Sequence, residues 1–174
     1  GRLVLATGSL PILPRFEGGD LENIQQVKLF QDAQEVVDKL ANPDIKTVAV
    51  VGAGYIGVEL AEAFQRNGRK TLLVDMAPTC MANNFDPEFC DLMAQNLADN
   101  GIECHFGEGV DHFEGKDGKV TKLFTNKGSY DVDMVCVCIG FRPNTALAEG
   151  GDFELFGNGA YLVDRHQKTS RDDV

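Results

Sequence analysis

The chain has 174 residues, 43% of them hydrophobic, and a formal net charge of -11. That length suits one domain, or one domain with pieces of another, and the apolar content is enough for a core. The charge argues against nucleic acid or an anionic membrane as partner, because both attract basic surfaces, and no apolar run approaches the roughly 20 residues that span a bilayer.

The opening Gly1-Arg2-Leu3-Val4 has neither an initiator Met nor a secretory signal, so it reads as the interior of something longer. Leu3-Val4-Leu5-Ala6 reads as a short strand stopped by Thr7-Gly8. The following stretch to Gly19, with Pro11, Pro14, Gly18 and Gly19, reads as a connecting loop. A helix is expected from about Asp32 to Leu40. Asp32 is its N-cap, Glu35 closes a capping box, and Ala33, Val36, Val37 and Leu40 form the buried face.

After the breaker Asn42-Pro43-Asp44, Thr47-Val48-Ala49-Val50-Val51 has the continuous apolar character of a strand covered on both faces, as in parallel sheets. A glycine turn follows, then a helix to about Arg66 with Gly57, Leu60, Ala61 and Phe64 inward, stopped by Asn67-Gly68. Thr71-Leu72-Leu73-Val74 completes a βαβ unit and ends at Asp75. The next helix is capped by Asp86, starts at Pro87 and ends at Asn100-Gly101, with Phe89, Leu92, Met93 and Leu97 as its apolar face. Residues 102–106 should be a third parallel strand. Turn signals at Gly115, Asp117-Gly118 and Lys127-Gly128 then predict an antiparallel meander. Residues 134–139 read as another buried strand closed by Gly140, and residues 160–164 as a last short one.

The five cysteines, Cys80, Cys90, Cys104, Cys136 and Cys138, show no CxxC spacing, and an odd number without a framework fits a reducing cytoplasm. Cys136 and Cys138 point to one face of a strand and read as small buried hydrophobes. Cys104 and His105 face opposite ways, which disfavours a metal pair. His105, His112 and His166 are scattered and read as structural or solvated.

Gly52-Ala53-Gly54-Tyr55-Ile56-Gly57 is a G-x-G-x-x-G between a buried strand and an amphipathic helix, the context that gives this pattern meaning. Gly52 permits a sharp turn, Gly54 lets a pyrophosphate approach the backbone, and Gly57 lets helix and strand pack closely. The free amides at the helix start offer local positive charge, which is how an acidic domain can hold an anion. Asp75 lies 23 positions after Gly52, where an acid accepts hydrogen bonds from an adenosine ribose. Residues 76–84 contain no basic side chain, so NADH is expected over NADPH. Glu59 either contacts the ligand or complements the helix dipole. Tyr55 either covers the nicotinamide side or fills a groove.

The run from Gly52 through Gly57 to Val58-Glu59-Leu60-Ala61-Glu62-Ala63-Phe64 resembles the nicotinamide-domain signature of pyridine-nucleotide flavin disulfide reductases. The resemblance is strongest to the NADH oxidase, NADH peroxidase and coenzyme A-disulfide reductase branch. Leu5-Ala6-Thr7-Gly8-Ser9 with Pro11 and Pro14, and Cys138-Ile139-Gly140-Phe141-Arg142-Pro143-Asn144-Thr145, are similar to the segments where the flavin domain hands over to the NADH domain and takes the chain back.

The resemblance implies an α/β fold: a Rossmann-like FAD/NAD(P)-binding domain with a parallel sheet, helices on its faces and an antiparallel three-stranded meander crossover. It implies NADH contacts at Gly52, Ala53, Gly54, Tyr55, Ile56, Gly57, Asp75 and Gly140, with Glu59 kept beside them as a candidate from its place on the helix. Relatives place an aromatic near the adenine where this chain has Asn84. Thr7 and Gly8 are implied remnants of a flavin contact. The expected segments are a flavin-boundary strand (1–14), a linker with a helix (15–44), the NADH-binding core (45–150) and a return segment (151–174). The implied whole protein is a cytoplasmic, homo-oligomeric NADH oxidase or peroxidase passing hydride from NADH to FAD and electrons on to a cysteine sulfenic acid and then to oxygen or peroxide, with the redox cysteine outside this chain. On that reading the chain alone binds NADH without oxidising it, its partners being NADH and the flavin domain. An NADH-sensing module, a coenzyme A-disulfide reductase domain, or a glycine turn that holds FAD are the alternatives.

Overall fold

The computed structural model describes residues 1–12 and 15–174; Pro14, named in the expected connecting loop, lies outside the described residues. In chain order the elements are β1 (Ser9–Pro11), β2 (Ile24–Gln25), α1 (Phe30–Leu40), β3 (Thr47–Val51), α2 (Tyr55–Arg66), β4 (Lys70–Asp75), α3 (Pro87–Asp99) and β5 (Ile102–Phe106). There follow β6 (Val110–Lys116), β7 (Lys119–Thr125), β8 (Ser129–Asp131), β9 (Met134–Val137), β10 (Phe141–Pro143) and a single 3-10 turn, Ala146–Ala148. These fall into two compact units, one of Gly1–Ile12 with Gly140–Val174 and a larger one within Leu13–Ile139.

The larger unit is a five-stranded parallel sheet in the order β2-β9-β3-β4-β5, with a three-stranded antiparallel sheet β6-β7-β8. Strand alternation sorts the apolar residues into two cores. Val48, Val50, Leu73, Met134 and Cys136 meet Ala61 and Phe64 of α2, Cys90 and Leu97 of α3, and Val36 of α1. Ala49, Val51, Leu72, Val74, Val135 and Val137 meet Phe113, Val120, Leu123 and Val132 from the meander side. Both faces of the parallel sheet are therefore covered, which is why β3, β4 and β9 read as unbroken apolar runs.

In the smaller unit β1 pairs antiparallel with β10, Ser9 opposite Pro143 and Pro11 opposite Phe141. The expected strand at residues 3–6 is absent. Leu3 and Val4 are exposed, and the Leu3 N–H instead reaches the Asp173 carbonyl at 2.8 Å. Strand propensity does not suffice without a neighbour to pair, and the neighbour, β10, lies alongside residues 9–11, which were expected to be loop. The expected strand at residues 160–164 reduces to one bridge, Leu155 with Tyr161. The strand read over residues 134–139 ends at Val137, although the Cys138 N–H still donates to the Val51 carbonyl at 2.7 Å. β2, in the stretch read as linker and helix, was not anticipated; its two residues have too little pattern to be read.

Two helix faces also differ from expectation. α1 begins at Phe30, and Asp32 is not its N-cap: it occupies the third position and accepts from the N–H groups of Leu29 (2.7 Å) and Lys28 (2.9 Å). Glu35 pairs with Lys39 instead (3.2 Å). Val36 is buried while Val37 is exposed. On α3 the inward stripe is Cys90, Met93, Ala94 and Leu97, with Phe89 and Leu92 exposed. Both sets of spacings suit a helix. The smaller Cys90 and Ala94 let α3 lie close to the sheet, so packing outweighs hydrophobicity here. No helix among the described residues is long and apolar enough to cross a membrane.

All five cysteines are free. Cys136 is buried and Cys138 packs against the same core, as their spacing predicted. Burial pushes the Cys138 thiol up to about 12, Cys104 to about 11, and Cys136 higher still. Unfolded thiols ionise near their ordinary value of 9.0, so the stability these neutral groups contribute is complete below that pH and is lost as pH rises towards 12. At about pH 8 a thiol reagent should label Cys136 and Cys138 only after unfolding in denaturant. Rapid labelling of either in the native chain would contradict this packing.

Candidate functional site

Within the larger unit, β3 ends at the glycine turn and each glycine there meets a different constraint. Gly52 has a left-handed φ of +102°, and an added Cβ would lie 2.4 Å from the Cys138 carbonyl oxygen. Its N–H donates to the Val74 carbonyl at 2.8 Å, tying the turn to β4. At Gly57 an added Cβ would lie 1.7 Å from the Gly52 carbonyl oxygen, so α2 rests directly on the turn. At Gly54, which precedes α2 in extended conformation, an added Cβ would meet nothing within 4 Å. The space beside this backbone is open.

The first turn of α2 is therefore presented bare. Its N-cap is glycine with no side-chain cap, and no acidic residue lies in the first turn. First-turn amides have no intrahelical acceptors, and together they carry the positive end of the helix dipole. Ala53 is buried, and its carbonyl accepts from the Met81 N–H at 2.8 Å.

Asp75, at the end of β4, lies against the same turn. Its Oδ2 accepts from the Ala53 N–H at 2.5 Å and its Oδ1 from the Ala77 N–H at 2.7 Å. An ionised carboxylate offers about four acceptor positions, so about two remain for a ligand. The side chain is half-buried and held by backbone on both oxygens, which fixes its direction.

Tyr55 and Ile56 are exposed at the start of α2. Tyr55 meets the ring of Phe85 edge-on, centroids 6.1 Å apart. Both line a groove of about 530 Å3 between α2 and α3, with Glu59, Met81, Met93 and Leu97. Glu59 is the fifth residue of α2, beyond the first turn. Asn84 is exposed in the preceding turn, its N–H donating to the Met81 carbonyl at 2.8 Å. The aromatic of this loop is the next residue, Phe85, which sequence reasoning passed over. The signal available was an apolar residue immediately before the Asp86 N-cap.

The remaining site candidates belong to the smaller unit. The Thr7 hydroxyl donates to the Asn144 carbonyl, the Asn144 N–H donates to the Gly8 carbonyl at 2.9 Å, and the Asn144 amide donates to the Thr7 carbonyl at 3.2 Å. Gly140 has φ +104°, and its carbonyl accepts from the Ile12 N–H at 3.0 Å. Thus 52–57, 59, 75 and 84 lie in one unit and 7, 8 and 140 in the other. Among the described residues no group of three or more His, Cys, Asp or Glu side chains could hold a metal.

A parallel sheet whose first full strand feeds a glycine turn and an uncapped helix, with an acid ending the next strand, is the architecture of FAD/NAD(P)-binding oxidoreductases. The whole chain, residues 1–174, matches the pyridine nucleotide-disulphide oxidoreductase family and belongs to it. It is 52% identical over 180 residues to an NADH oxidase of Streptococcus pyogenes, covering 97% of this chain and 39% of that protein. The structure of a water-forming NADH oxidase from Lactobacillus brevis bound to NADH is similar with a TM-score of 0.92 and 35% identity, over 99% of this chain and 37% of that one. An engineered NADPH-bound variant of the latter (TM-score 0.92, 34% identity, 99% and 38% covered) carries five substitutions. Among them are glycine to alanine, aspartate to alanine and, at the next residue, alanine to arginine. The chain spans about two fifths of the length of these relatives.

Proposed function

We propose that this chain binds NADH and orients it for hydride transfer to FAD within a larger flavin-dependent NADH oxidase. The observation that carries this reading is the bare start of α2 beside Gly54, with the Asp75 carboxylate held by backbone against the same turn. The pyrophosphate would lie over the first-turn amides of residues 54–57. Asp75 would take the adenosine ribose hydroxyls on its remaining acceptor positions. Tyr55, Ile56 and Glu59 would border the dinucleotide, and Asn84 and Phe85 would flank the adenine end.

In the engineered NADPH-bound relative the replaced glycine and aspartate lie eighteen positions apart, as Gly57 and Asp75 do here. That spacing supports Asp75 as the residue that selects NADH. The nicotinamide supplies the hydride chemistry; these residues bind the dinucleotide and fix its orientation. Thr7 and Gly8 offer only a boundary contact for a flavin, so no flavin step is assigned to this chain. The larger protein would be a cytoplasmic homo-oligomer. The charge of -11 favours neither nucleic acid nor anionic lipid, and five free thiols suit a reducing compartment.

Titration of the purified chain should show NADH binding at least about tenfold more tightly than NADPH. Equal affinity for the two dinucleotides would overturn the role of Asp75.

A further inference from the structure

Three side chains, those of His105, Thr125 and Tyr130, meet around Glu108, in the turn after β5. Glu108 is 8% exposed, and its Oε2 accepts from the hydroxyls of Tyr130 and Thr125, both at 2.8 Å. His105 Nδ1 lies 3.1 Å from the Tyr130 hydroxyl and 3.6 Å from Glu108 Oε1, with its ring 4.4 Å from that of Tyr130. Burial alone would raise the Glu108 carboxyl; the Tyr130 and Thr125 hydroxyls, together with the nearby His105 and Lys127, hold it below its ordinary value. A buried carboxylate this well supplied with donors is a fixed anchor, because leaving it unsatisfied would be costly.

The backbone attached to this anchor leads to the dinucleotide side of the sheet. The Glu108 N–H donates to the Asp75 carbonyl at 2.9 Å, and the Gly107 N–H donates to the Ala77 carbonyl at 2.7 Å. Residues 107 and 108 therefore hold both ends of the Asp75–Ala77 turn, whose Ala77 amide is one of the two that orient the Asp75 carboxylate. The tip of the β7–β8 hairpin grips the same segment from the other side. Asn126 exchanges two hydrogen bonds with Gly109, each at 3.0 Å, and Lys127 Nζ donates to the Phe106 carbonyl at 3.3 Å.

We propose that Glu108, clamped by Tyr130 and Thr125, is a positioning residue that sets the Asp75 turn and thereby the discrimination between NADH and NADPH. This rests on the reading of Asp75 as the ribose acceptor. The meander is then more than a cover for the sheet: its hairpin tip controls how accurately the acid is aimed.

The test compares dissociation constants for NADH and NADPH, with thermal midpoints, for the full 174-residue chain and its variants. Tyr130→Phe keeps the ring and removes one donor. It should weaken NADH about fivefold and leave NADPH nearly unchanged, so the preference narrows. Glu108→Ala should narrow it further, and Glu108→Gln should restore part of it. Leu123→Ala, a buried residue of the same meander, should lower the thermal midpoint without changing the ratio. Asp75→Asn separates the two claims. If it leaves the preference unchanged, the Asp75 reading falls and this proposal with it. If it abolishes the preference while Tyr130→Phe only lowers the thermal midpoint, or shifts the ratio no more than Leu123→Ala does, the positioning role alone is overturned.

Discussion

Gly52→Ala should destabilise the chain by about 3–5 kcal/mol, while Gly54→Ala leaves it folded and abolishes dinucleotide binding. At Gly52 two costs combine. The backbone sits at φ +102°, where an L side chain is strained, and the new methyl would press to 2.4 Å from the Cys138 carbonyl oxygen and 2.8 Å from its carbon. Both neighbours are backbone between β9 and the chain's exit from the sheet, so the clash cannot be relieved by a side-chain rotation. Gly54 has an ordinary φ of -81° and open space where its methyl would go. An alanine there costs little in folding, but it would stand where the pyrophosphate must approach the amides. Urea unfolding and calorimetric titration on the two variants would separate these roles. A folded Gly54→Ala variant with unchanged NADH affinity would contradict the placement of the phosphates.

The second large effect is a reversal of dinucleotide preference by Asp75→Ala with Met76→Arg. Two unit charges about 4 Å apart in an effective dielectric near 20 interact by about 4 kcal/mol, so a carboxylate facing a 2′-phosphate is a strong deterrent. Removing it and offering a guanidinium should move the NADPH-to-NADH ratio by about a hundredfold or more. Met76 is 80% exposed, so the arginine needs no repacking. The Ala53 and Ala77 amides lose their acceptor in this variant, so some weakening of both dinucleotides accompanies the switch. Retained NADH preference in a folded double variant would remove Asp75 as the selector.

The glycine turn, Asp75 and the parallel βαβ core were legible because their signals are local: a short motif, a buried run on each side and an acid at a fixed distance. The packing face of α3 was not. Phe89 and Leu92 are the more hydrophobic choice, yet Cys90 and Ala94 face inward, because the space between helix and sheet decides and a one-dimensional pattern does not record it. β1 was missed for a related reason: Ser9 to Pro11 has weak strand character, and only its distant partner, Phe141 to Pro143, makes it a strand. The Glu108 cluster has no sequence signature. Residues 105, 108, 125 and 130 meet only after the meander folds back on the sheet edge.

The ribbon of β1 and β10 carries a further consequence. The strand leading out stops at Pro11, the one coming back starts at Phe141, and the amide of Ile12 already touches the carbonyl of Gly140. Departure and return thus share one doorway, and everything threaded between them is a detour from a single two-stranded track. A detour of this kind can be lifted out and exchanged for a relative's version with the flanking register untouched, which makes it a natural cassette for swapping coenzyme choice between oxidoreductases.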